Sequence, residues 1–268
     1  MRDTDVCALL PRAELAELGA VTAVGTDQLY GCDAKLGGDR KTSTHVHWVV
    51  RAVDRSGLDE GTSVTIDGMA VTLLGDKDVR SPEEVASASV RTCSAYAQLP
   101  TGCSLLLSVT IPPGTEPCPA AQSLVTVALA EWKRHPRLGD SPDTMCTSVT
   151  GADPCAVLAK LPNAVRGDTA WVDRCWFQLD GDSLYVAYEH ATDREFQNYL
   201  PVKFAGHQAY RTSKDPGGRY MIRVGPTFDP VADDYQFANV PAVTISGGND
   251  AKLEKVTAAV LALFPTAE

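Results

Sequence analysis

Two kinds of hydrophobic pattern alternate along this chain, and they recur in nearly the same order in each half. Thr44 to Val50 sets Val46, Trp48 and Val50 on one side and His45, His47 and Val49 on the other, as a half-buried strand does. Cys103, Leu105, Leu107, Val109 and Ile111 share one face of a second strand. Ser63 to Leu74 reads as a hairpin turning at Asp67-Gly68, and Val202 to Thr212 mirrors it with Ala205-Gly206 at the turn. Cys175 to Leu179 and Leu184 to Tyr188 form another hairpin around Asp180-Gly181-Asp182. Tyr220 to Val224 and Ala242 to Ser246 add further strands.

Helical period takes over elsewhere. Pro11 opens a short helix that Gly19 stops. Ser81-Pro82-Glu83-Glu84 is a capping box; it predicts a helix over 81–99 with Val85, Ala88, Thr92, Tyr96 and Leu99 as the buried stripe. Cys118 to Trp132 buries Leu124, Val125, Ala128, Leu129 and Trp132. Asp153 to Leu161 is a short helix, and Asp193 to Leu200 has room for one or two turns. A last helix, capped by Asn249 or Asp250, turns Leu253, Val256, Val260, Leu263 and Phe264 inward.

Each half thus runs short helix, four or so antiparallel strands, then a closing helix. The predicted class is α+β: two tandem similar modules, each an antiparallel sheet covered by helices. The first spans 1–135 and carries the 81–99 helix as an insertion. Residues 136–151, rich in Pro, Gly, Ser, Thr and Asp, read as a linker, and the second module spans 152–268. The length of 268 residues suits two domains better than one core.

Composition narrows the function classes. A net charge of −10, with Lys133-Arg134-His135 as the one short basic cluster, argues against nucleic acid as a partner. The eight cysteines form no C-x-x-C pair and no zinc-finger spacing, so they read as cross-links. Cys7–Cys32 and Cys155–Cys175 would close loops of about 20 to 25 residues, each contributing about 3 to 3.5 kcal/mol by chain entropy. The other four are assigned as Cys93–Cys103 and Cys118–Cys146. Disulfides persist in oxidising compartments, which points to an extracytoplasmic protein. Met1-Arg2-Asp3-Thr4-Asp5 is not a signal peptide, so the expectation is that an export signal or anchor ahead of it has been removed, and that any membrane association ran through that anchor.

Asp5, Cys7, Leu9, Leu10 and Cys32 in the first half answer to Asp153, Pro154, Cys155, Leu158, Cys175 and Trp176 in the second. This pairing of an Asp–Cys helix start with a later Cys–Trp resembles the secreted and lipid-anchored envelope proteins of unknown function in mycobacteria, nocardiae and streptomycetes. It is also similar to extracellular sensor domains of actinobacterial Ser/Thr kinases. Asp33-Ala34 stands where the second repeat has Trp176-Phe177. The resemblance implies export and an envelope role, and no known reaction.

No catalytic residue is assigned. There is no G-x-S-x-G elbow and no cysteine–histidine signature. His45 and His47 share a strand face, but a metal would need a third ligand, and a solvent-facing strand is the simpler reading. No metal or cofactor is therefore assigned. Asp180/Asp182 and Asp233/Asp234 fit turns better than a pair of glycosidase acids. Ser246-Gly247-Gly248 reads as a capped loop. Aromatics concentrate in the second half, among them Trp171, Trp176, Tyr185 and the acidic loop from Phe228 to Phe237. Phe228, Asp229, Asp233, Asp234, Tyr235 and Phe237 are the candidate binding residues, because exposed aromatics on loops dominate contact energetics. The function expected is a non-catalytic extracytoplasmic binding or sensing module for an envelope protein, glycan or lipid. The alternatives are an extracellular hydrolase with its site between the halves and a structural partner in an envelope complex.

Overall fold

The period-two stretches pair into two separate seven-stranded antiparallel sheets. The computed structural model describes residues 1–38, 42–52, 60–100, 102–167, 171–204, 207–212, 218–229 and 238–264. The chain divides between Met145 and Cys146.

In the first unit the strands are β1 (Val21–Thr26), β2 (Gly31–Leu36), β3 (Thr44–Ala52), β4 (Thr62–Ile66), β5 (Met69–Gly75), β6 (Arg91–Gln98) and β7 (Cys103–Ile111). In the second they are β8 (Ala164–Arg166), β9 (Arg174–Leu179), β10 (Asp182–Thr192), β11 (Leu200–Phe204), β12 (His207–Arg211), β13 (Arg219–Arg223) and β14 (Asn239–Gly247). The sheet orders are β1-β2-β3-β7-β6-β5-β4 and, read from its far edge, β8-β9-β10-β14-β13-β12-β11. These are one and the same order. In each, three strands form a meander, and the last strand of the unit returns to pair with the third. Seven strands replace the four or so expected, because short edge strands such as β1 and β8 carry too little alternation to be read. Asp67-Gly68 and Asp180-Gly181 both turn with φ positive at the two central residues, the geometry that matches strand twist in tight hairpins.

Each sheet buries one face. In the first unit Cys32, Ala34, Leu36, Val46, Trp48, Val50, Leu105, Leu107 and Val109 point inward; α4 (Cys118–Lys133) packs Leu124, Val125, Ala128, Leu129 and Trp132 over the β5–β6–β7 part, and the 3-10 turn Cys7–Leu9 lies against β2 and α4. Trp48 is fully buried and its indole N–H donates to the Val6 carbonyl at 2.6 Å. In the second unit the inward set is Cys175, Phe177, Leu179, Leu184, Val186, Tyr188, Val243 and Ile245. There α6 (Asp250–Leu261), capped by the Asn249 side chain, buries Leu253, Val256 and Val260. The remaining short helices are α1 (Arg12–Leu15), α2 (Asp76–Val79), α3 (Pro82–Ser87) and α5 (Asp193–Gln197).

Two expectations are corrected. The 81–99 helix ends at Ser87; after Ala88 the chain extends into β6. Cys93, Ala95 and Ala97 alternate inward against Thr92, Ser94 and Tyr96, and small residues of this kind fit either element. Pairing on both sides, to β5 and β7, decides for strand. The extra length is therefore α2 with α3: the connection from β5 to β6 runs over residues 76–90, that from β12 to β13 over residues 212–218.

Next, the cross-links are Cys7–Cys32, Cys155–Cys175 and Cys93–Cys118. Cys103 and Cys146 remain thiols, the first buried and the second exposed. Cys93 sits opposite Val109, six residues along β7 from Cys103 (109 − 103). That is roughly 20 Å at strand rise, beyond disulfide reach. Cys118 instead begins α4 directly over Cys93, and Cys146 belongs to the other unit.

The division between Met145 and Cys146 falls within residues 136–151, and residues 136–145 are hydrogen-bonded to the first unit. The Asp5 backbone N–H donates to the Pro136 carbonyl and Leu138 N–H to the Asp3 carbonyl. The buried Asp5 carboxylate accepts from the N–H groups of Ala8, Gly139 and Ser141 and from the Thr144 hydroxyl. A loop-like composition thus hides an anchored segment, because its orphan N–H groups are met by one buried acid.

Three disulfides, two of which tie a short 3-10 turn to a strand, are those of a protein folded in an oxidising, extracytoplasmic compartment. No helix among the described residues is long and apolar enough to cross a membrane.

Candidate functional site

With one face of each sheet covered by a helix, chemistry concentrates on the other face. The disulfide fixes which residues lie there. Cys32 and Cys175 point inward, so the next residue on each strand, Asp33 and Trp176, points outward. Asp33 pairs across β3 with His47, and His47 across β7 with Ser108. Trp176 pairs across β10 with Tyr185, and Tyr185 across β14 with Ser246. Asp33 with His47 and Trp176 with Tyr185 therefore occupy equivalent positions in the two units.

In the first unit this position gathers donors. His47 Nδ1 lies 2.8 Å from Asp33 Oδ1 and 3.3 Å from Asp27 Oδ2. Asp27 follows β1, and the turn after it brings Gln28 Nε2 within 3.2 Å of His47 Nε2. Tyr30 holds φ at +65°, and a Cβ on Gly31 would fall 2.4 Å from Gln28 Cγ and 2.7 Å from Asp27 Oδ1. The turn can fold back over the strand only because residue 31 has no side chain. Burial by itself would push the imidazole down, yet the two carboxylates outweigh it and hold His47 up at about 10. Asp33 is pushed up by burial, against the hydrogen bond from His47. Beside them His45 Nε2 lies 3.0 Å from the Ser43 hydroxyl. The donor set of one imidazole and two carboxylates suits a proton or a borderline divalent metal.

The second unit presents rings instead. Trp176 and Tyr185 have centroids 4.7 Å apart at a 45° tilt. The Arg174 guanidinium lies 4.7 Å from the Trp171 ring and 5.6 Å from the Tyr185 ring. Arg174 Nε is buried and has no hydrogen-bond partner among the described residues. Trp176 is 36% exposed, an unusual cost for the largest side chain unless something covers it. Gln178 donates to the Ser183 hydroxyl one pair further along the same face. In the other direction Glu189 accepts from the Thr244 hydroxyl, and burial pushes its carboxyl up. Beyond Glu189 the face is closed by α5, whose Phe196 packs with Ala191, Tyr210, Met221, Val240 and Ala242.

The candidate binding loop fares differently. Asp233, Asp234, Tyr235 and Phe237 lie outside the described residues. Phe228 bridges to Asn239 and sets its ring 4.9 Å from that of His190, while Asp229 is exposed. His190 and Tyr185 project from opposite faces of β10, so Phe228 is not brought together with Trp176. Asp180 and Asp182 serve the hairpin: Lys252 on α6 reaches the Asp180 carbonyl and the Asp182 carboxylate.

Sequence reasoning passed over both pairs. For Trp176–Tyr185 a signal existed, since a two-residue turn at Asp180-Gly181 sets the register that opposes them. For Asp33–His47 none did, because the β2–β3 connection is longer and leaves the register open.

Two surface hollows have linings that include none of these residues. One, about 460 Å³, is lined by Lys77, Arg80, Val85 and Arg91, where Arg91 is already bound in bidentate fashion by Asp76. The other, about 300 Å³, lies beside Cys7, Arg12 and Asp143, with Arg12 likewise paired to Asp143. Comparison with family models, curated proteins and solved structures returns no match.

Proposed function

We propose that this chain is a non-catalytic binding or sensing module that works outside the cytoplasm, at a bacterial cell envelope, and takes an envelope protein, glycan or lipid. The observation that carries the reading is the Trp171–Arg174–Tyr185–Trp176 surface. Trp, Tyr and Arg are the side chains that dominate interface hot spots, since they give large contact area for few frozen rotors. Arg174, Trp176 and Tyr185 stand on strands rather than on a loop, so their geometry is pre-organised. The Arg174 guanidinium lies against the Trp171 and Tyr185 rings, which fixes the aromatic surface in place. Gln178, Ser183 and Ser246 supply polar groups on the same sheet face. The disulfides support export, and the envelope assignment rests on the resemblance of the Asp–Cys and Cys–Trp positions.

The test is co-sedimentation with an insoluble envelope fraction, before and after protease, glycosidase or lipid extraction. Wild type should sediment and Trp176→Ala/Tyr185→Ala should stay in solution while keeping its circular dichroism and its three disulfides. If the folded double variant sediments like wild type, the surface is not the binding site. Which pretreatment abolishes sedimentation identifies the ligand class.

A further inference from the structure

We propose that Asp27, Asp33 and His47 form a divalent transition-metal site, fitted to Zn²⁺ or Mn²⁺, on the outer sheet face of the first unit. Three side chains from three consecutive pieces of structure — the turn after β1, β2 and β3 — each offer one donor atom, and all of these lie within 4.8 Å of one another. Ligands about 2.0 to 2.2 Å from one metal stand roughly 2.9 to 3.5 Å apart at tetrahedral or octahedral angles. The two N···O separations, 2.8 and 3.3 Å, need to move by only a few tenths of an ångström to match.

Two further observations speak for a built site rather than a chance meeting of charges. The first is on the far side of the imidazole. Metal-bound histidines use their second nitrogen to fix the ring, usually against an oxygen acceptor. Gln28 Nε2 stands there at 3.2 Å and also donates to Asp27 Oδ2 at 3.4 Å; turning the amide, whose N and O are assigned by their surroundings, places Oε1 to accept from His47 Nε2–H and releases that Asp27 oxygen to a metal. The second is the cradle. Asp27 and Gln28 both occupy the space a Cβ on residue 31 would take, and the chain reaches it through Tyr30 at positive φ. A surface ion pair worth little by itself would not need such a turn.

The donor chemistry narrows the ion. One imidazole and two carboxylates are too hard for Cu(I) and too rich in nitrogen for a calcium loop. Three protein donors leave positions open to water or to a ligand atom.

The experiment uses the full chain, stripped with EDTA and carrying Cys146→Ser so that its exposed thiol takes no metal. Titration with ZnCl₂ by calorimetry and with MnCl₂ by electron paramagnetic resonance should each show one site. His47→Ala and Asp33→Asn should each weaken it at least 10- to 100-fold, the loss that even outer-shell changes bring to metal sites. The conservative Gln28→Ala, which leaves all three ligands, should weaken it less and confirm a positioning role. In the wild type, Mn²⁺ should broaden the His47 imidazole resonances before those of His135 or His190. The proposal is overturned if 1 mM of neither metal binds, or if the folded His47→Ala chain binds as wild type does. In that case His47 is only an imidazolium neutralising two acids.

Discussion

The two units share an inner face and differ on the outer one. Inside, Cys32-Ala34-Leu36 answers to Cys175-Phe177-Leu179, and Val46-Trp48-Val50 to Leu184-Val186-Tyr188, all buried. Bulk is placed differently on the paired strands: Trp48 pairs with Cys32 and Val46 with Ala34 in one unit, whereas Val186 pairs with Cys175 and Leu184 with Phe177 in the other. Outside, the pair one residue past the disulfide is Asp33–His47 in one unit and Trp176–Tyr185 in the other. The helix-start acid has diverged too. Asp153 accepts from Cys155 N–H as an N-cap, whereas Asp5 is fully buried and collects four donors. Packing holds the fold constant where a helix covers the sheet, and lets chemistry change where water does.

The hardest way to break this comparison is through the core. Trp48→Ala removes a fully buried indole and leaves the Val6 carbonyl without its donor. It should cost about 3 to 5 kcal/mol, seen as a lower thermal-unfolding midpoint. Next come the equivalent disulfides. Cys7→Ser/Cys32→Ser and Cys155→Ser/Cys175→Ser should each cost about 3 kcal/mol, because the sequence separations of 25 and 20 close similar loops. Unequal costs would mean that strain or residual structure distinguishes the units. Alkylation under native, non-reducing conditions should label Cys146 alone, and Cys103 only after unfolding.

A finer contrast is in pH. His47 has its folded value raised from 6.5 to about 10, so its contribution is fully present below about pH 6.5 and is lost as pH rises towards 10. The metal-stripped first unit should therefore lose stability across that window, and His47→Gln should flatten the slope. An NMR titration of the imidazole with a midpoint near 6.5 would contradict it. The smallest effect belongs to the long β5–β6 connection of the first unit. Ser81 and Glu84 cap α3 reciprocally at its exposed start, and Ser81→Ala should cost about 0.5 to 1 kcal/mol.

Much of the fold was legible because local rules and tertiary packing agreed. Asp-Gly turns, the alternation of β3 and β7 and the stripe of α4 each pointed the same way as the final structure. Failure came where small residues served either period, as at Cys93-Ser94-Ala95-Tyr96-Ala97, and where a partner distant in sequence decided, as Cys118 did for Cys93 and Asp5 for Gly139. The candidate sites were less legible. An acid, a histidine and a turn residue become neighbours only through strand register, and register between β2 and β3 is written in the packing of the inner face, not in either strand alone.

The most direct test of two faces on one fold is to exchange the pair. Asp33→Trp/His47→Tyr writes the second unit's outer residues into the first, at half-buried positions on the outer sheet face. The measurement is thermal unfolding of this variant and of wild type, each with and without Zn²⁺, in the Cys146→Ser background. The account predicts that the variant folds with its metal-free midpoint within a few degrees of wild type, and that Zn²⁺ raises only the wild-type midpoint. A variant that fails to fold, or one that keeps the Zn²⁺ shift, would contradict it.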